Sequence, residues 1–261
     1  ILFLLLLPTL LHAQTTFPKD FVFGVANAPG QVEDELNDVW LKWGQQGNVR
    51  SWKVTTNPER RLEFWTKPEV ELDLARDLGV QSFRMGVDWG RIMPTPTTFD
   101  VAAIEQYRSI LKAVKARGMK VMLTLMHHSV PAWVQEQNGW QEEKTKAAFV
   151  AFSKRMIEEY SAEVDWWITF NEGNVYVVNA YVVGMWPPGD KSSPLALFAL
   201  GPIRGSGVVA MDYMTDAHNE IYDWAHQKFP TIKIGLAHNM AHYTAVGWLD
   251  KIAARFADRV M

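Results

Sequence analysis

Polar side chains that could hold a hydroxylated ligand come directly after short apolar segments of the sequence. Asn171 and Glu172 follow WWITF, and His127 and His128 follow VMLTLM. A carboxyl group can transfer a proton, while amide and imidazole groups donate and accept hydrogen bonds. We therefore expect a site in which Glu172 acts as an acid or base and its neighbours bind a polyhydroxylated substrate.

Three further residues fit such a site but also have structural explanations. Gln31 and Asn239 follow two other apolar segments, and Arg84 lies within another. The amides could equally cap backbone groups in loops, and Arg84 could be a buried ion-pair partner. Residue type alone does not decide between these alternatives.

Histidine pairs raise the question of a metal site. Adjacent side chains on a strand point to opposite faces, which disfavours joint ligation by His127 and His128. His238 and His242 are spaced to share one face if that stretch is helical, as a zinc site requires. No HExxH motif accompanies either pair, and the chain has no cysteine for a thiolate nucleophile or thiolate ligand. We predict neither a metal nor another cofactor.

Composition indicates a globular protein that does not bind nucleic acid. Hydrophobic residues make up 48% of the 261, enough for one sizeable core. The 26 Lys and Arg against 29 Asp and Glu give a net charge of -3, whereas nucleic-acid binding needs concentrated positive charge.

Short apolar segments alternate with amphipathic ones along the chain. The segments that read as strands span 21–26, 81–85, 120–125, 166–170 and 232–237, and those that read as helices span 69–78, 101–117, 142–160 and 212–228. Segments such as VMLTL are apolar at nearly every position, as in parallel strands covered on both faces. We predict an α/β fold, a (β/α)8 TIM barrel of which about the first five units are present, with its site at the carboxyl ends of the strands.

Five motifs in order resemble glycoside hydrolase family 1, the retaining β-glucosidases, from about Phe17 to about Asn239. They are FVFGVANAPGQVED, FRMGVDWGRIMP, MLTLMHHSVP, WWITFNEG and YVVGMWPPG. The resemblance implies that Glu172 is the acid/base carboxyl group and that Asn171 donates to the sugar 2-hydroxyl. It also implies that Arg84 lies beneath the catalytic centre and keeps the nucleophile ionised.

The same resemblance assigns substrate-binding residues and reveals two departures from the family pattern. Gln31, His127 and Asn239 correspond to sugar ligands. His128 replaces the usual Trp after the histidine, which puts the choice of glycone in question and makes His128 a candidate specificity residue. Gly173 replaces the usual Pro after the glutamate, and we expect it to loosen the turn that orients the acid/base.

Retaining hydrolysis needs a second carboxylate, the nucleophile. The family carries it in a TENG-like motif on the seventh strand, and no such motif occurs before Met261. We therefore expect residues 15–261 to be the N-terminal part of a single glycosidase domain, inactive and poorly folded alone.

Residues 1–14 are expected to be a signal-peptide or membrane-anchor remnant, which implies secretion or association with a membrane. The apolar run within them, ILFLLLLPTLL, is shorter than the about 20 residues that span a bilayer.

The expected function is that of a retaining β-glucosidase or β-galactosidase acting on a carbohydrate or glycolipid. The segments MGVDWGRIMP and QVEDELNDVW look most like the plant and algal sensitive-to-freezing branch of the family, a galactolipid:galactolipid galactosyltransferase of the chloroplast envelope. Transfer by the same site is therefore an alternative, and an inactive carbohydrate-binding relative is another.

Overall fold

A parallel sheet of five strands forms the centre of the computed structural model. The structure describes residues 17–49, 62–190, 205–240, 244, 246–248, 250 and 251. The strands are β1 (Gly24–Ala26), β2 (Ser82–Gly86), β3 (Lys120–Met126), β4 (Trp166–Asn171) and β5 (Ile234–Ala237). They pair in chain order, each parallel to the next. This is the arrangement of consecutive βα units in a barrel, as the sequence predicts.

Helices connect the strands. They are α1 (Pro29–Val32), α2 (Val39–Gln45), α3 (Pro68–Asp77), α4 (Trp89–Ile92), α5 (Val101–Ala116), α6 (Ala132–Glu136), α7 (Glu143–Tyr160), α8 (Gly173–Val177) and α9 (Ser206–Lys228). Among the described residues a 3-10 turn spans Gly139–Gln141, and a π-helical segment, Val178–Val183, continues from α8.

Local sequence sets the helix ends. The Asp100 side chain caps α5 by accepting from the Ala103 amide at 3.0 Å. Gly79 and Gly118 follow α3 and α5 with φ of 79° and 78°, backbone that glycine adopts without strain. Each glycine lets the chain turn from a helix into the next strand, so these two residues set where β2 and β3 begin.

The core lies between the sheet and the helices that cover it. Its densest part is aromatic, where Trp89 of α4 packs against Phe149 and Phe152 of α7 with ring centroids 5.2 and 5.7 Å apart. Phe149 also stacks on Phe170 of β4 at 4.7 Å. Because Phe170 precedes Asn171, this packing fixes the end of β4, where two site residues are predicted.

Several predicted boundaries need correction. The first strand is Gly24–Ala26 rather than 21–26, because Phe21 and Phe23 are exposed and form an aromatic cluster with Phe17. The last strand begins at Ile234 rather than 232, and α9 begins at Ser206 rather than 212. The predicted signal peptide or anchor remnant, residues 1–14, lies outside the described residues.

Candidate active site

The ends of three neighbouring strands bring most of the predicted site residues together. His127 and His128 follow β3, Asn171 ends β4, Glu172 comes next, and Asn239 lies just beyond β5. Because β3, β4 and β5 are adjacent and parallel, their carboxyl ends share one edge of the sheet. In a (β/α)8 barrel this edge carries the catalytic groups.

The carboxyl group of Glu172 is oriented but remains accessible. Its Oε1 accepts a hydrogen bond from Asn239 Nδ2 at 3.1 Å. The Glu172 backbone amide donates to the carbonyl of Ala237 on β5 at 2.6 Å. The residue is partly exposed. A substrate can therefore reach a carboxyl group whose direction is set by two contacts with the β5 side.

Glu172 has a left-handed backbone, with φ of 44° and ψ of 52°. It immediately precedes Gly173, the first residue of α8. A proline at position 173 would push residue 172 towards extended backbone. The glycine that departs from the family pattern therefore fits the conformation that this carboxyl-bearing residue adopts.

His127 presents a neutral imidazole at the site. Burial lowers its pKa to about 3, and the nearby His128 and Arg84 act in the same direction. Its buried Nδ1 has no hydrogen-bond partner among the described residues. A neutral ring with such a nitrogen suits the sugar-hydroxyl role predicted for His127.

His128 does not follow the strand alternation assumed from the sequence. Since β3 ends at Met126 and His128 adopts φ of 62°, its ring lies 5.0 Å from that of His127. His128 Nε2 is 2.9 Å from the carbonyl oxygen of Asn171. The expectation that the two histidines point to opposite faces is wrong, because both residues lie beyond the strand.

Arg84 of β2 lies close enough to the site for its charge to matter. Burial lowers its pKa, and the negative charge of Glu172 acts against that shift. The arginine also contributes to the lowered pKa of His127. Arg84 is thus electrostatically coupled to both residues from the neighbouring part of the sheet, which is compatible with the role implied by the family resemblance.

Gln31 is the predicted site residue that the described contacts do not link to the others. It is exposed in α1, immediately beyond β1, and its backbone amide bonds to Ala28. Because β1 pairs with β2, Gln31 lies at the same edge of the sheet. Its role as a sugar ligand stays a prediction.

A buried charged cluster beside the site is not predicted from the sequence. Glu33 is fully buried, and both of its carboxyl oxygens lie within 2.9 Å of the Tyr107 hydroxyl. Arg91 Nε lies 3.3 Å from Glu33, and the Asp88 amide donates to the Tyr107 hydroxyl at 2.9 Å. The only sequence signal is a set of charged residues inside otherwise apolar segments.

Burial raises the acid pKa values in this cluster. The pKa of Glu33 rises to about 8, although the charge of Arg91 acts against the shift. The pKa of Asp88 rises to about 6 through burial and the charge of Asp38. Asp88 also caps α4 by accepting from the Arg91 amide at 2.7 Å. These contacts join the segments that follow β1 and β2, so the cluster supports the site from outside.

Within the described ranges, no group of three histidine and carboxylate side chains could hold a metal ion. His238 is exposed, and the predicted partner of its zinc pair, His242, lies outside the described residues.

None of the helices in the described ranges is long and apolar enough to cross a lipid bilayer.

Solved structures of similar proteins share this architecture. A β-glucosidase from Exiguobacterium marinum superimposes with a TM-score of 0.83 at 25% sequence identity, over 94% of this chain and 55% of that one. The virulence factor SghA from Agrobacterium tumefaciens superimposes with a TM-score of 0.82 at 25% identity, over 93% of this chain and 53% of that one. The described sheet and helices therefore form part of a (β/α)8 barrel.

Two plant proteins are similar in sequence. "Beta-glucosidase-like SFR2, chloroplastic" of Oryza sativa subsp. japonica is 39% identical over 81% of this chain and 34% of its own length. "Galactolipid galactosyltransferase SFR2, chloroplastic" of Arabidopsis thaliana is 33% identical over 88% of this chain and 46% of its own length. This chain thus spans less than half the length of either relative. The model of Glycosyl hydrolase family 1 matches residues 13–248, and the chain belongs to that family.

Proposed function

We propose that the enzyme containing this chain is a retaining β-glycosidase in which Glu172 is the general acid and base. The observation that carries the proposal is the position of Glu172 at the end of β4, partly exposed and bonded to Asn239, with His127 just beyond β3 at the same edge of the sheet. Carboxyl chemistry at the carboxyl ends of barrel strands is the general pattern for this fold. Membership of a glycosyl hydrolase family supports the reaction class.

In the first step Glu172 gives its proton to the glycosidic oxygen while a carboxylate nucleophile attacks the anomeric carbon. The C–O bond to the leaving group breaks, the aglycone departs as an alcohol, and a covalent glycosyl-enzyme forms. In the second step the Glu172 carboxylate removes a proton from water, and the oxygen of that water displaces the nucleophile. Glu172 is protonated again when the free sugar leaves.

The residues around Glu172 divide the remaining tasks. We assign Asn171 to the sugar 2-hydroxyl, and Gln31, His127 and Asn239 to other sugar hydroxyls. Arg84 places a fixed positive charge beneath the site, where it would keep the nucleophile ionised. That nucleophile would come from a barrel strand other than the five described here. No cofactor is needed, because the two carboxyl groups supply both acid–base and covalent chemistry.

Transfer to a galactolipid is a second candidate reaction. It is favoured by the similarity to a relative named as a galactolipid galactosyltransferase. An acceptor hydroxyl would replace water in the second step, and Glu172 would deprotonate it in the same way. In that case the substrate is a glycolipid, and the relatives named as chloroplastic support a location in the chloroplast, where the sequence resemblance implies the envelope.

The acid role is tested by Glu172→Gln in the enzyme expressed from its full reading frame. We expect turnover of alkyl glycosides to fall by about 10²- to 10⁴-fold, the usual contribution of general acid catalysis, and turnover of nitrophenyl glycosides to fall much less. Glu143→Gln, on the exposed start of α7, is the matched control. Equal losses on both substrate types, or unchanged activity in the variant, would refute the acid role, and a lack of activity in the unmodified protein would favour an inactive carbohydrate-binding relative.

Hydrolysis and transfer are separated by their products. The same enzyme is supplied with a galactolipid in mixed micelles, and free galactose is measured against oligogalactolipid. Free sugar as the main product supports the glycosidase, whereas oligogalactolipid supports the transferase.

A further inference from the structure

One peptide group beside the acid/base residue is held from both sides. The peptide that joins Asn171 to Glu172 carries the Asn171 carbonyl and the Glu172 amide. The amide donates to the carbonyl of Ala237 on β5 at 2.6 Å. The carbonyl oxygen lies 2.9 Å from His128 Nε2, on the β3 side. The orientation of this peptide is therefore fixed by groups from both neighbouring strands.

A side chain takes the place of a backbone donor on the β3 side. The pairing of β3 with β4 extends as far as Met126 and Phe170. Beyond it His128 turns away with φ of 62°, and its imidazole reaches the next carbonyl of β4. Because a carbonyl oxygen only accepts, Nε2 must carry the hydrogen in this contact. Burial lowers the pKa of His128, which agrees with a neutral ring donating through Nε2.

The imidazole is itself held in place. It stacks on Tyr176 with an interplanar angle of 9° and contacts Trp186 with ring centroids 4.8 Å apart. Trp40 Nε1 donates to the His128 backbone carbonyl at 2.7 Å. A left-handed backbone at a residue other than glycine persists only where its surroundings determine it. The two ring contacts and the hydrogen bond from Trp40 together hold His128 in this conformation.

The fixed peptide sets the direction of the catalytic side chain. Glu172 is left-handed, which Gly173 permits, and its carboxyl group meets Asn239 at 3.1 Å. Rotation of the peptide before Glu172 would swing its Cα–Cβ bond and move the carboxyl oxygens. A displacement of about 1 Å at a reacting group can reduce a rate by about 100-fold.

We propose that His128 is a positioning residue for the acid/base carboxyl group, acting through the Asn171 carbonyl. The inference rests on the proposed function of Glu172. It differs from the role in glycone choice predicted for His128 from the sequence, since a positioning role affects proton donation whichever sugar is bound.

The test uses two substitutions that separate the donor from the ring. His128→Phe keeps an aromatic ring between Tyr176 and Trp186 but removes the donor. His128→Gln removes the ring but keeps an N–H donor at a comparable distance from the backbone. His226→Phe is the matched control, because the His226 imidazole also contacts a carbonyl, that of Tyr222 at 2.9 Å, far along α9. All variants are made in the enzyme expressed from its full reading frame.

Two ratios are measured, and kcat and KM are determined separately. The first ratio compares alkyl with nitrophenyl glycosides, and the second compares galactosides with glucosides. For His128→Phe we expect kcat on alkyl glycosides to fall by about 10- to 100-fold, with a smaller loss on nitrophenyl glycosides. The ratio of activity on galactosides to activity on glucosides should not change. His128→Gln should recover most of the loss, and His226→Phe should match the unmodified enzyme.

Other results would overturn the inference. Equal losses on both leaving groups with an altered sugar ratio would make His128 a sugar contact. If kcat on alkyl glycosides is no higher in His128→Gln than in His128→Phe, the hydrogen bond from His128 is not what matters, and His128 has only a packing role. If neither variant folds, Trp40→Phe removes the donor to the His128 carbonyl, and it should lower the activity on alkyl glycosides selectively. No selective loss in that variant would also reject the inference.

The same assays keep the two proposals distinct. If Glu172→Gln shows the leaving-group dependence of a lost acid and His128→Phe does not, the inference about His128 fails alone. If Glu172→Gln shows no such dependence, the proposed function itself fails.

Discussion

The buried carboxyl group of Glu33 should make the folded protein less stable as the pH rises. Burial raises its pKa from 4.5 to about 8. The folded state therefore keeps a proton that the unfolded state releases above about pH 4.5. Where the folded state binds more protons, the free energy of unfolding decreases with pH. The stability associated with protonated Glu33 is present below pH 4.5 and is lost as the pH rises to about 8.

The size of the effect follows from these pKa values. One proton contributes about 1.4 kcal/mol for each pH unit, so the interval from 4.5 to about 8 corresponds to about 5 kcal/mol. Asp88, whose pKa is raised from 3.8 to about 6, acts in the same direction but only below about pH 6. Between about pH 6 and about pH 8 the contribution of Glu33 alone amounts to about 3 kcal/mol.

The assay compares urea unfolding of the unmodified protein and of Glu33→Gln at several pH values across that interval. The amide cannot ionise and can still accept a hydrogen bond from Tyr107, so the variant should lack the decrease. Taking the difference between the two proteins removes the contributions of other titrating groups. We expect this difference to grow by about 3 kcal/mol in favour of the variant between about pH 6 and about pH 8. Parallel pH curves for the two proteins would refute the reasoning.

Two further predictions concern packing and backbone. Phe149→Ala should lower the free energy of unfolding by about 3 to 5 kcal/mol in the urea assay, because Phe149 is fully buried in the aromatic core; a loss below about 1 kcal/mol would contradict this. Gly139→Ala should lower the free energy of unfolding by about 2 to 5 kcal/mol, because φ at this position is 60° and an added Cβ would lie 2.3 Å from the Tyr181 hydroxyl. That hydroxyl accepts a hydrogen bond from the Trp140 amide, which the clash would disturb. Gly118→Ala, with φ of 78° and nothing within 4 Å of a Cβ, is the control and should lose only about 1 to 2 kcal/mol.

Much of the fold follows from local signals in the sequence. Strands β3 and β4 are apolar at most of their positions, and Gly79 and Gly118 mark where helices end before β2 and β3. The first strand is less predictable because FVF looks like a strand but lies exposed at the outer edge of the sheet. Apolar character does not distinguish a paired segment from an exposed aromatic cluster.

The general position of the site was predictable, whereas the buried cluster beside it was not. Placing polar residues at strand ends requires only the strand assignments and the geometry of parallel strands. The Glu33 cluster depends on a contact between Tyr107 of α5 and Glu33, which lies 74 positions earlier in the chain. Contacts between residues so far apart depend on how helices and strands pack, and the periodicity of hydrophobic residues in the sequence does not predict them.

His128 shows most clearly what could not be predicted from the sequence. Alternation along a strand predicts that neighbouring side chains diverge, and this rule fails where the strand ends one residue before His127. The residue type gives only a weak signal of the left-handed turn, since histidine is enriched in that conformation but is not typical of it as glycine is. The turn is held instead by Trp40, Tyr176 and Trp186, which come from three separate segments of the chain. From the sequence alone, the replacement of the family's Trp by His128 suggests a changed contact with the sugar. The structure instead shows that the His128 imidazole contacts a backbone carbonyl oxygen within the fold, that of Asn171.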